Sequence, residues 1–455
     1  MQKSKQAPGL TGMRAFTLIW LGQFLSFIGT GMSRFAISLW AWELTGQATA
    51  LALVQFFAAA PTILLSPLAG ALADRWNRKL VMMISDLAAG LSTIALLLLS
   101  WNGTLEIWHV YAASAFAGAF EAFQFPAYSA AITTMVDKKQ YARTSAMLGL
   151  ANAASNIIAP IGAAALYGLI QLNGILLIDV VSFIFGVGVL FFVYIPSPRK
   201  SQDGIDSQGG IFQEATYGFR YIWRRKPLFS VQMVFFWGNL LFAFVIVLLN
   251  PYILARTGND EVTLSLVSAT MGLGGVLGGI ALTAWGGPKR RINGVLLGFL
   301  VWGIFGALML GLSQSLIGWV IGVFIGNACG PLINASNQAI WQSKVPPDVQ
   351  GKVFAVRRII AQVTFPLASF IAGPLADYIF EPAMQPGGAL VPIFGGLVGS
   401  GPGAGMGLLF VLVGIAQIVV VAAAYSLPII REVEDRIQDF EDGPSEEAEP
   451  AIQVA

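Results

Sequence analysis

Gly70-Ala71-Leu72-Ala73-Asp74-Arg75-Trp76-Asn77-Arg78-Lys79 is a stretch in which small apolar residues give way to one acid among three bases, before apolar sequence resumes at Leu80. On either side run apolar segments at about 48–72 and 80–100. Each is long enough to cross a bilayer, which takes roughly 20 apolar residues. The pattern is a membrane hairpin: two antiparallel spans joined by a short polar turn. Gly70 lets neighbouring helices approach closely. Asp74, alone among Arg75, Arg78 and Lys79, suits a salt-bridge latch or the cap of a helix N-terminus.

The same grammar continues along the chain. Of 455 residues, 56% are hydrophobic and 11% charged, whereas soluble domains carry about 25% charged residues. Apolar runs lie at about 15–40, 48–72, 80–100, 107–133, 142–170, 174–195, 228–254, 262–285, 292–312, 315–342, 353–378 and 407–428. The expected fold class is therefore an all-α membrane protein with twelve transmembrane helices and no room for a sizeable soluble domain. The first run is too long and too lightly flanked for a cleaved leader. One His and one Cys argue against a zinc or haem site, a Cys/His catalytic pair or a disulfide framework. No cofactor and no metal are expected.

An even number of spans puts both termini on one side. If that side is cytoplasmic, 24 of the 26 Lys and Arg residues lie in or beside cytoplasmic segments, the exceptions being Arg34 and Arg256. This is a positive-inside bias, and it predicts a multi-pass protein of a bacterial-type inner (plasma) membrane with both termini cytoplasmic. The longest cytoplasmic connection, 196–227, begins Pro196-Ser-Pro198-Arg-Lys and ends in Phe212, Ala215, Phe219 and Ile222 at helical spacing beside Arg220, Arg224, Arg225 and Lys226. It reads as a linker with an interfacial amphipathic helix, dividing the chain into halves at 1–195 and 228–430. At an offset of about 209 residues, Val136–Arg143 meets Val345–Lys352, as two repeats would place them; short basic loops also resemble one another without a repeat. From Arg431 onward, nine acids face two arginines, and 431–455 reads as a disordered cytoplasmic tail.

The Gly70–Lys79 loop resembles the signature loop of the major facilitator superfamily, G-x-L-a-D-r-x-G-R-[R/K], with Asn77 where glycine is usual. The resemblance implies two pseudo-symmetric six-helix bundles that rock about a central site. It assigns gating to Gly70, Asp74, Arg75, Arg78 and Lys79. Asp74 would latch to the start of predicted helix 11 near Gly351–Phe354, and Asp86 would extend that network; alternatively, the bases serve topology alone. The second-half counterpart, Gly278-Gly279 through Thr283 to Lys289-Arg290-Arg291, keeps glycines and bases but has no acid. Helix 5, with Asn152, Ser155, Ala159, Pro160 and Gly162, is similar to the small-residue pattern of antiporters in the superfamily, with Ala159 where glycine usually precedes the proline. There Pro160 would bend the helix by removing a donor, and Gly162 would allow close packing, making a hinge. Val345-Pro346-Pro347-Asp348 through Gly351-Lys352-Val353-Phe354, then Pro366 and Gly373-Pro374-Leu375-Ala376-Asp377, resembles the macrolide-efflux and enterobactin-exporter branch; so do Asn173-Gly174, Leu177-Ile178-Asp179 and Ser182-Phe183.

Charges inside the membrane mark where function sits. Arg34 lies about ten residues from the outer end of helix 1, about 15 Å at the helical rise, and Glu121 lies at similar depth on helix 4. In the fold implied by the resemblance, helices 1, 4, 7 and 10 line the cavity, so Arg34 and Glu121 can pair across it. As a working pair, Glu121 takes a proton or cation while Arg34 tunes it or meets anionic substrate groups. The bland alternative is a fixed structural salt bridge. Gln124, Asn239, Asn327, Asn334, Asn337 and Gln338 complete the expected polar lining, with Phe27, Phe120, Phe123, Phe125, Trp237 and Phe242 as candidate aromatic walls. Asp179 reads as packing or capping rather than proton carriage. The helix 4 arginine of many proton-coupled drug antiporters is missing from Trp108-His109-Val110-Tyr111, so proton coupling rests on Glu121 and the resemblance.

The glycine-rich outer loop 379–406 has no Lys-Ser/Thr after it and no strand before it, which excludes a phosphate-binding loop and leaves a flexible or partly interfacial cover over the outer mouth. The expected function is a secondary transporter exporting a small hydrophobic or amphipathic compound by alternating access and proton antiport. Its partners would be that substrate, protons and the lipid bilayer, with no nucleic acid, and the chain would act as a monomer. The alternatives are a siderophore or lysophospholipid carrier, a non-transporting membrane sensor and a polytopic membrane enzyme. An enzyme is disfavoured because neither His109 nor Cys329 has a second reactive group at useful spacing.

Overall fold

In a computed structural model of the chain, the described residues are 12–73, 77–136, 140–193 and 211–437. Their regular elements are all helical. The first half comprises α1 (Gly12–Thr45), α2 (Ala48–Ala73), α3 (Arg78–Trp101), α4 (Ile107–Met135) and α5 (Tyr141–Phe192). After α6 (Ile211–Arg224) come α7 (Lys226–Thr257), α8 (Glu261–Trp285), α9 (Arg291–Leu312), α10 (Leu316–Lys344), α11 (347–380) and α12 (Ala404–Ser426).

α5 makes two crossings. At Gln171 the backbone takes φ 54° and ψ −172°, a left-handed conformation that residues bearing a side chain rarely adopt. The two arms then run in opposite directions along α1. Trp20 and Gly31 of α1 meet Met147 and Ala159 on the first arm, whereas Gly29 and Gly22 meet Ser182 and Gly186 on the second. With α4 and the two arms of α5 counted, the fold has the twelve spans expected, six in each half.

Among the described residues, the halves share their largest apolar cluster toward one end. α1 ends, α2 begins and α11 ends at this far face; α5 ends and α6 begins at the opposite, linker face. The largest apolar cluster includes Leu39, Trp42 and Leu51 of the first half together with Leu248, Tyr252 and Phe410 of the second. Toward the linker face the clusters belong to one half each: Phe16, Met82, Tyr128 and Leu190 in one, and Val231, Phe299, Ile340 and Val433 in the other. α11 shows the same division along its length. Its segment Thr364–Leu375 packs on both α2 and α7, while Pro347–Gln362 packs mainly on α6. Within the second half, α8 and α10 touch backbone to backbone. A Cβ at Gly274 would lie 2.5 Å from the Phe324 carbonyl oxygen, and one at Gly278 2.1 Å from that of Ala328. This spacing is a small-xxx-small contact.

Two surface segments carry more order than the sequence indicates. Loop 379–406, expected to be a flexible cover, contains the helix Val391–Val398. It is pinned by Glu381, whose carboxylate accepts from the amides of Gly403 (3.0 Å) and Met406 (2.8 Å) at the start of α12. Arg256 donates to the Val398 carbonyl. The acidic tail, expected to be disordered from Arg431, forms helical turns at Pro428–Arg431 and Val433–Arg436; 438–455 lie outside the described residues. In the linker, α6 buries Tyr221 and Ile222 against Leu228, Trp341 and Val353 and leaves Phe219 and Trp223 exposed.

Candidate functional site

Between the halves lies a cavity of about 2150 Å³. Arg34 reaches it from the face of α1 that also carries Thr30 and Ser38, and Glu121 reaches it from the middle of α4. Arg34 Nη2 donates to Glu121 Oε2 at 3.0 Å, with the two side chains 64% and 47% exposed. The pair is therefore open to cavity water rather than buried in hydrocarbon, and neither charge carries the full cost of a desolvated ion.

A second carboxylate lies nearby in a drier setting. Asp86, on α3, is buried. It accepts from Gln23 Nε2 (2.9 Å) on α1 and from Gln124 Nε2 on α4. Gln124 is one turn beyond Glu121, so the same face of α4 serves both carboxylates. Asp179 is a third, buried where both arms of α5 pass α1. It accepts from Thr30 Oγ1 (3.1 Å) and Thr93 Oγ1 (3.0 Å), tying α1, α3 and α5 together. All three acids border the cavity. Gln23 was not singled out in the sequence; an amide one helical face from Arg34 was its only signal.

The polar lining expected from the sequence divides in two. Gln124, Asn239 and Asn327 border the cavity. Asn334, Asn337 and Gln338 do not. Asn334 turns back to the Gly330 carbonyl (3.0 Å), Asn337 accepts from Trp341 Nε1 (3.1 Å), and Gln338 accepts from Arg357 (2.9 Å). Their polar groups are instead engaged by partners on α10 itself and on α11. Of the aromatic candidates, Phe27 and Phe242 border the cavity. Trp237 is half exposed, Phe120 packs on Phe116, and Phe123 packs into the linker-face cluster. The Phe125 side chain lies outside those described.

Of the gating loop, Asp74 and Arg75 lie outside the described residues, as does the side chain of Arg78. Asn77, which departs from the signature, caps α3 through a bond from Leu80 N to its side-chain oxygen (3.3 Å). Lys79 donates to the carbonyls of Phe191 (3.2 Å) and Val193 (2.9 Å), a cation on the last carbonyls of a helix. Asp86 bonds to Gln23 and Gln124 rather than to any described residue of the loop. In α5, Pro160 borders the cavity, but the helix breaks at Gln171. Gly162 faces Met32, and Gly31 meets Ala159, where a Cβ would lie 2.7 Å away; the small residues of this arm serve close packing against α1.

Among the described residues, no cluster of three or more His, Cys, Asp or Glu side chains could hold a metal ion. The site offers a large wet cavity, one accessible ion pair and two buried carboxylates, an arrangement suited to holding a solute rather than to bond chemistry.

Known proteins agree with this architecture. Macrolide efflux protein A of Streptococcus pyogenes is 26% identical over 375 residues, which cover 80% of this chain and 90% of that protein. The Enterococcus faecalis protein of the same name is 25% identical over 318 residues, covering 68% of this chain and 95% of that one. A bacterial homologue of the human lysosomal transporter Spinster, solved in an inward-facing and unoccupied conformation, superposes with a TM-score of 0.71 at 14% identity, covering 95% of this chain and all of that one. The profile of the Major Facilitator Superfamily matches residues 19–369, most of the chain, and the protein belongs to that superfamily of membrane transporters.

Proposed function

We propose that this transporter exports a small hydrophobic or amphipathic compound by alternating access, driven by proton antiport. It would work as a monomer in a bacterial-type inner membrane, with the linker face and both termini cytoplasmic. The observation that carries the reading is the Arg34–Glu121 pair, a water-accessible ion pair in the wall of a cavity large enough for a bulky solute. The macrolide-efflux relatives support the direction and the substrate class.

In this reading Glu121 has two states. Ionised and paired with Arg34, it accepts hydrogen bonds from cationic or hydrogen-bonding groups of the solute; protonated, it loses the charge that holds them. Proton and solute then compete for one pair, which is the coupling an antiporter requires. The neutral lining of Gln124, Asn239 and Asn327 adds hydrogen bonds without fixing one geometry, in keeping with a site that accepts several amphipathic shapes.

The test is transport in vesicles holding the purified protein, under an imposed pH gradient, with a panel that includes macrolides, a siderophore and a lysophospholipid. Glu121→Gln is expected to lower gradient-driven uptake roughly tenfold or more, and Asp74→Asn to slow it. Wild-type accumulation and proton exchange in both variants would overturn the mechanism. Movement of the siderophore or lysophospholipid alone would reassign the substrate.

A further inference from the structure

The far face is closed by a cap that one half lends to the other. α2 begins at Ala48 directly after Gly46-Gln47. It thus lacks the Ser, Thr, Asp or Asn that ordinarily precedes a helix and binds its first free N–H groups. Asp377, from α11 of the other half, supplies that function. Its Oδ1 accepts from Ala48 N (3.0 Å), and its Oδ2 accepts from Thr49 N (2.7 Å) and from the Thr49 hydroxyl.

Two features of α11 aim this carboxylate. Asp377 sits in the π-helical turn Ala376–Phe380, a widened turn that re-phases the helix leading into it. One turn earlier, Gly373 leaves bare the place where a Cβ would lie 2.6 Å from Thr49 Cα, so the two backbones meet. The sequence records a counterpart. Gly373-Pro374-Leu375-Ala376-Asp377, at the far-face end of α11, repeats the sequence pattern of Gly70-Ala71-Leu72-Ala73-Asp74. Two neutral hydrogen bonds also join the halves: Trp42 Nε1 to Asn259 (2.7 Å) and Gln55 to the Val247 carbonyl (3.4 Å).

We propose that Asp377 is a positioning residue of the transport cycle, a latch that holds the far face shut and lets go of α2 when the halves rock. The inference rests on the alternating-access reading. A carboxylate on a helix N-terminus is favoured by both hydrogen bonding and the helix dipole. Such a contact biases a two-state equilibrium without locking it.

The experiment reads accessibility. In a Cys329→Ser background, Ser38→Cys places a single thiol on the cavity wall seven residues before the end of α1. The full chain in lipid vesicles is treated with a membrane-impermeant maleimide from the far-face side. Asp377→Ala is expected to raise the labelling rate roughly fivefold, the population shift that a lost N-cap produces. Asp377→Asn, which keeps one acceptor oxygen, should fall between. Gly373→Ala acts through a separate contact and should move labelling in the same direction, keeping the proposal testable if Asp377→Ala does not fold. Unchanged labelling in the Asp377 variants and Gly373→Ala, or a lowered Tm with unchanged labelling, would make Asp377 an ordinary structural cap and overturn the latch. Labelling reports conformation whether or not any tested solute is moved, so failure of the transport reading and failure of the latch give different results.

Discussion

Replacing Glu121 by Gln separates a working ion pair from a structural one, because the two roles predict different energies. The 3.0 Å contact joins side chains that are 64% and 47% exposed. At that distance two unit charges in water attract by about 1.4 kcal/mol, and solvent screening with lost side-chain freedom leaves roughly 0.2–1 kcal/mol of stability. A double-mutant cycle of Arg34→Gln and Glu121→Gln, followed by unfolding of the detergent-solubilised protein, should therefore give a coupling energy below about 1 kcal/mol. Transport should respond far more. Gradient-driven uptake in Glu121→Gln vesicles should fall roughly tenfold or more, the ratio set by losing one interaction of about 1.4 kcal/mol, and its dependence on pH should disappear. The charge swap Arg34→Glu with Glu121→Arg rebuilds the pair but moves the acid to α1, and it should not restore uptake. A coupling energy of about 3–5 kcal/mol, the range for breaking a buried pair, together with uptake restored by the swap, would refute the reasoning.

Other outcomes follow from contacts away from the cavity. Glu434 in the tail accepts from the amides of Arg291 (3.1 Å) and Ile292 (3.0 Å) at the start of α9, so Glu434→Ala should cost about 1 kcal/mol in thermal unfolding. Asp435→Ala, which removes only an exposed bond to Arg290 at 3.0 Å, should cost less than about 0.5 kcal/mol; equal losses would contradict the capping role. Gly278→Val drives a side chain into the Ala328 carbonyl and should lower the folded yield, or cost more than the roughly 1–3 kcal/mol of ordinary overpacking. The Thr263 hydroxyl, reinforced by the amides of Thr263 and Val262, holds the Asp260 carboxyl below its usual range despite an opposing contribution from burial. Because the folded form binds its proton less readily than the unfolded form, this stabilisation is present above about pH 4 and fades as pH falls through the folded value. Asp260→Ala should accordingly lower Tm at pH 7 and converge with the wild type in strong acid; a difference that persists there would exclude the carboxylate as its source.

The spans, the hairpin turns and the division into two halves were legible because they depend on local quantities: the length of an apolar run, and the glycines and charges that interrupt it. Arg34 and Glu121 stood out for the same reason, since charges are few in this membrane sequence. Periodicity did not foresee that Asn334, Asn337 and Gln338 would bond within α10 and to Arg357 instead of lining the cavity. It also could not foresee that Gln23 and Gln124 would be spent on Asp86, or that Glu434 and Asp435 would settle on the base of α9 and the adjoining Arg290.

The sequence by itself determined that the chain is a twelve-span membrane protein, and its signature loop pointed to the superfamily, because bilayer thickness and backbone hydrogen bonding allow few other uses for such runs. Tertiary structure alone decided which polar groups meet. Asp377 lies more than three hundred residues from the helix it caps, and a cap, like an ion pair across a cavity, exists only once helix crossings and breaks have fixed the phase of each face. Those contacts lie where the two halves face each other, and there the proposed transport cycle would make and break them.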